Sequence, residues 1–94
     1  MNEQTTISIV VRGPIARPDV PGLCDAVSEL LETSGASVAL CDVCSVEPDA
    51  VSVDALARIR LIARERSCDL MLLGASTDLR NLIAFMGLQD VLLD

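Results

Sequence analysis

Apolar positions along this chain switch repeatedly between a strand-like and a helix-like period, and each switch predicts an element boundary. Thr6 to Arg12, TISIVVR, is β-branched and loosely alternating, so it is expected as a strand that Gly13-Pro14 ends. A loop with Pro14, Pro18 and Pro21 follows. Leu23, Val27, Leu30 and Leu31 then recur at helical spacing, with Asp19 as the candidate N-cap and Ser34-Gly35 as the stop. Ser37 to Val43, SVALCDV, is a nearly continuous apolar run, which predicts a central strand covered on both faces. Beyond the Glu47-Pro48-Asp49 turn a helix is expected to about Arg66, its start fixed by Pro48, which keeps Glu47 extended. Asp69 to Gly74, DLMLLG, predicts a third buried strand. Ser76 or Thr77 can cap a short helix through Leu79, Leu82, Ile83 and Met86 that ends at Gly87, and Val91 to Leu93 is expected as an edge strand.

Strands alternating with helices, joined by short crossovers, predict an α/β fold with a mixed, mostly parallel sheet of four to five strands and about three helices packed on it. The 94 residues suffice for one domain with one core, spanning 1–94 without repeat or linker.

The helical segment 49–66 has two apolar stripes. Leu56, Ile59, Ile62 and Ala63 read as its core face; Val53, Ala57 and Leu61 form a second stripe that a partner could cover. Phe85 raises the same question, because it lies off the face set by Leu79, Leu82, Ile83 and Met86.

Composition narrows the function. A net charge of −7 with no lysine argues against a nucleic-acid or anionic-membrane partner, since both require a positive footprint. Phe85 is the one aromatic, so base stacking has no platform. Arg58, Arg60, Arg64 and Arg66 spread around more than half of a helix and read as a solvated face paired with Glu65 and nearby carboxylates. No run approaches the roughly 20 apolar residues of a membrane span, and the amino terminus MNEQTT is polar, unlike a secretory signal. A cytoplasmic location without membrane insertion is therefore expected, and with it reduced thiols: Cys24, Cys41, Cys44 and Cys68 are read as small buried hydrophobes.

The chemistry-bearing clusters are sparse. Cys41-Asp42-Val43-Cys44 has CxxC spacing, which leaves a redox or metal protein as an alternative. The pair ends a strand instead of opening a helix, and neither a second CxxC nor any histidine accompanies it. Asp42, Glu47, Asp49 and Asp54 offer oxygen ligands without a Gly-rich liganding loop. With no His, Lys, Tyr or Trp, the usual acid, base and nucleophile set is nearly empty, so no catalytic residue, metal or cofactor is assigned and the chain is not expected to be an enzyme.

The stretch Asp42 to Leu56, DVCSVEPDAVSVDAL, resembles the phospho-acceptor segment of STAS domains, the fold of bacterial anti-sigma factor antagonists. There a strand ending in Asp leads to Asp-Ser-Ser-Gly and an apolar helix. The tetrad here is Asp49-Ala50-Val51-Ser52, with Ala50 at the acceptor position and Ser52 where the Gly would be. The early motif is matched by Arg12-Gly13-Pro14-Ile15, with Ala16 in place of an Asp. The late part is matched by Leu70–Gly74, Ser76–Met86 and Gly87-Leu88.

The resemblance implies a protein–protein interaction module that docks on an anti-sigma factor or kinase-like partner. The contact would be the loop and helix start 49–57, through Asp49, Ala50, Val51, Ser52, Val53 and Ala57. It also implies that the usual phosphorylation is lost at Ala50, leaving Ser52 as the fallback acceptor. Small stand-alone members that bind the ATPase subunit of lipid ABC transporters give an alternative partner, and homo-oligomers are left open. Members often carry a further helix beyond the last strand, so a minimal or truncated carboxyl end is expected.

Overall fold

In a computed structural model, which describes residues 5–93, the β-branched run Thr6–Arg12 forms strand β1, Val38–Ser45 strand β2 and Asp69–Leu73 strand β3. Helix α1 (Val20–Ser34) follows β1 after a single 3-10 turn at Arg17–Asp19, and helix α2 (Ala50–Glu65) joins β2 to β3. Helices α3 (Thr77–Phe85) and α4 (Gln89–Leu92) close the described chain. The α/β fold class is as expected. Its sheet, however, has three strands among the described residues, in the order β1-β2-β3, and both pairings are parallel.

The missing strand is Val91 to Leu93. Leu88 caps a short turn instead, with the Leu92 amide bonded to the Leu88 carbonyl, and Leu92 is drawn into the core at 3% exposure. Burying that one leucine from a helical turn satisfies the backbone locally, whereas an edge strand would need a neighbour to pair with. The outer edge of β3 is already engaged, because the Arg60 guanidinium of α2 donates to the Leu70 carbonyl.

The strand order also decides which side of the sheet is covered. Successive right-handed crossovers in the order β1-β2-β3 place α1 and α2 on the same face. Ile9, Val11, Ala39, Cys41, Val43 and Leu70 point into that face and meet Val27 and Leu31 of α1 and Val53, Leu56 and Ile59 of α2, all in one buried cluster. The opposite face is not covered by any described element. Val38 and Leu40 are half-buried there, while Val10, Met71 and Leu73 are exposed at 55%, 53% and 43%. β2 is therefore central but covered on one face, not two as its apolar run suggests.

Two glycines draw the loops at the carboxyl ends of the strands together. A Cβ on Gly13 would sit 3.1 Å from both the Ser45 carbonyl oxygen and the Glu47 amide, so the loop after β1 lies directly on the loop after β2. Gly74 adopts φ +76°, and a Cβ there would meet the Cys44 Cβ at 3.1 Å. Loops 13–19, 46–49 and 74–76 thus share one end of the sheet, which is where α/β folds present their sites.

Candidate functional site

The start of α2 lies at that end, and its geometry follows from Asp49. This residue is extended (φ −128°, ψ 165°), and its Oδ1 accepts a hydrogen bond of 2.7 Å from the Ser52 amide. The carboxylate thereby satisfies one of the helix's unpaired donors and sits at the positive end of its dipole. At the end of β2, the Asp42 Oδ1 accepts from the Cys44 amide at 3.0 Å, and that bond holds its carboxyl below the ordinary range. Both carboxylates are thus used to shape the loop, and they do not converge on a common ligand. Among the described residues no three His, Cys, Asp or Glu side chains are grouped as a metal would need.

The structure divides the residues 49–57 by burial. Asp49 and Ala50 are exposed and Val51 is half-exposed, so the first turn presents a carboxylate beside a small apolar surface. Ala57 is half-buried two turns on. Ser52 and Val53, by contrast, are fully buried at 0% exposure, and they belong to the core side of the helix. The Ser52 Oγ lies below the surface with no hydrogen-bond partner. A kinase would have to unwind the first turn of α2 to reach it. The helical period places 52, 53, 56 and 59 on one side, so the stripe Val53–Ala57–Leu61 runs from the core to the solvent, where Leu61 is 59% exposed.

Beside this turn lies a groove of about 220 Å³ between α2 and the start of α1 with the 3-10 turn before it, lined by Arg17, Val20, Pro21, Asp54 and Arg58. Arg58 Nε donates to Asp54 Oδ2 at 3.0 Å along the helix. That i,i+4 pair was legible as a spacing. Arg17 was not, because its place depends on the 3-10 turn through which the proline-rich loop enters α1. The remaining arginines scatter as expected, though not onto Glu65: Arg60 serves the β3 edge, and Arg66 reaches Ser28 at 2.8 Å and Glu32 at 3.7 Å on α1.

The cysteines do not act as a set. Cys41 is fully buried beneath the helices, and burial, helped by the neighbouring Asp42, pushes its thiol up to about 11. Cys44 is exposed at the end of the strand, against the expectation that all four are buried, because odd and even positions of β2 face opposite ways. Cys68 is buried and Cys24 partly so, and burial raises both thiols. A CxxC pair split between core and solvent lacks the shared environment that dithiol exchange requires.

No protein-family model matches the chain, and no curated protein matches its sequence. Among solved structures, it is similar to the crystal structure of a sulfate transporter family protein from Wolinella succinogenes, with a TM-score of 0.69 and 22% identity over 93% of this chain and 70% of that one. The architecture is thus shared with a solved protein. At that identity the likeness speaks to the fold alone.

Proposed function

We propose that this protein is a binding module of the anti-sigma factor antagonist type, docking through the exposed first turn of α2. The observation that carries the reading is the pairing of an Asp49-capped helix start with solvent-facing Ala50 and Val51, at the end of the sheet where three loops meet. The contact surface is Asp49, Ala50, Val51 and Ala57, flanked by Asp54 and Arg58; Ser52 and Val53 support it from beneath. In STAS proteins of this type, phosphorylation near the helix start adds negative charge to a packed interface and separates the partners. Ala50 has no hydroxyl and the Ser52 hydroxyl is buried, so the module here docks without that switch. Nothing in this role requires a catalytic group.

A second reading is an accessory subunit that binds the ATPase of an ABC-type lipid transporter, as the resemblance to small stand-alone STAS domains suggests. Both readings use the same surface. Affinity capture from a native lysate, with the wild type beside Ala50→Asp, separates them: an anti-sigma kinase lost with Ala50→Asp supports the first, and an ABC ATPase lost in the same way supports the second. Partners retained by Ala50→Asp would place docking elsewhere.

A further inference from the structure

We infer that β1 is a self-docking edge, through which a second copy of this chain adds antiparallel to form a continuous six-stranded sheet. The two outer edges of the sheet differ. That of β3 is occupied at the Leu70 carbonyl by Arg60, and α4 lies alongside. That of β1 meets no described element over its seven residues. The Thr5 carbonyl accepts from Ser37 and Val38, and the Gly13 amide donates to Ser45, so odd positions of this strand turn their backbone groups toward β2. Even positions, Thr6, Ser8, Val10 and Arg12, therefore aim their N–H and C=O groups outward.

Charge selects the occupant. The chain carries a net charge of −7, and every described element holds at least one carboxylate except β1, whose one charged residue is Arg12. A second copy can approach closely at this edge with the least repulsion. The parity of the strand also fits a two-fold axis. Outward groups mate when even positions face even positions, and an axis at Ile9 puts Ser8 opposite Val10 and Thr6 opposite Arg12 of the second copy, giving about eight backbone bonds. Ile7, Ile9 and Val11 then face their counterparts on the helix side. Arg12 of each copy lies at the far end of the strand from the other. None of the Lys, Pro or inward charges that usually blunt a free edge is present in Thr6–Arg12.

Sedimentation of the whole chain from micromolar to millimolar concentration tests this, together with amide exchange at the same concentrations. The wild type is expected to move from monomer to a species of twice the chain mass, with the Ser8 and Val10 amides protected only in the latter. Ser8→Pro removes an outward N–H and leaves the bonds to β2 intact; Val10→Lys keeps the backbone and adds an edge charge. Each is expected to weaken self-association at least tenfold with circular dichroism unchanged, while Leu61→Lys on α2 leaves it as in the wild type. A wild type that stays monomeric to millimolar concentration, or a dimer that survives both β1 variants, would overturn the proposal.

Discussion

Ser52 is the residue at which chemistry and packing pull against each other. Its Oγ is buried without a partner, and a hydroxyl in that position forgoes its bonds to water for nothing in return. Ser52→Ala is therefore expected to be neutral or to raise stability by up to about 1 kcal/mol, read as a higher midpoint in urea. Ser52→Glu should instead unfold the start of α2, because the site has neither room nor a counter-charge for a carboxylate. Phosphate taken up by wild-type Ser52 while the domain stays folded would show that a kinase reaches the hydroxyl despite its burial. The thiols give a second test. A thiol reagent should label the native protein rapidly at exposed Cys44 and slowly at buried Cys41 and Cys68. Because burial raises Cys41 from 9.0 to about 11, the unfolded chain releases its proton first as pH rises. The stability this thiol contributes is present in full below pH 9 and declines through the window up to about 11, by roughly 3 kcal/mol. Cys24 and Cys68 act in the same direction. Cys41→Ala should flatten the alkaline loss measured by thermal melts, on top of its own packing cost.

At the scale of an element, α2 is the segment whose sequence says most. Pro48 and Asp49 fix its start, the apolar period finds its core face at Leu56, Ile59 and Ala63, and the structure places the cap where those residues require it. The cap can be separated from the charge. Asp49→Ala should cost about 1 kcal/mol of stability, whereas Asp49→Asn keeps a capping oxygen and should change partner binding with little change in the melt. Equal melts for both variants would show that the cap adds nothing to stability. β1, α1 and α3 were legible for the same reason: punctuation by Gly and Ser reinforces period. Gly35 takes φ +62° at the end of α1, and Ser76 Oγ accepts from the Leu79 amide at 3.1 Å. What could not be read is set by tertiary context. The period of Val91 to Leu93 is too short to distinguish a strand from a turn of helix, and the packing of Leu92 decides for the helix. Ser52 and Val53 looked available because they are close to Ala50 in sequence, yet a rotation of about 100° per residue carries them from the surface into the core.

For the whole molecule, the decisive asymmetry is that both crossover helices lie on one side of a three-stranded sheet. An apolar run such as Leu70-Met71-Leu72-Leu73 cannot show this, since every residue in it is hydrophobic and alternation is hidden. Adjacent residues of β3 therefore make a direct test of the architecture. Leu70 is 2% exposed and packs in the core beneath the helices, so Leu70→Ala removes buried contacts and leaves a cavity, at an expected cost of about 2–4 kcal/mol. Met71, one position on, is 53% exposed on the uncovered face, where truncation opens no sealed cavity. Met71→Thr should change stability by less than about 0.5 kcal/mol and keep β-propensity while reducing exposed apolar surface. The two variants, measured together by urea unfolding, distinguish a one-sided sheet from a sandwich. Comparable losses at Leu70 and Met71 would mean that something covers the second face in solution. A large loss at Leu70 alone would leave the face free for a partner or for solvent.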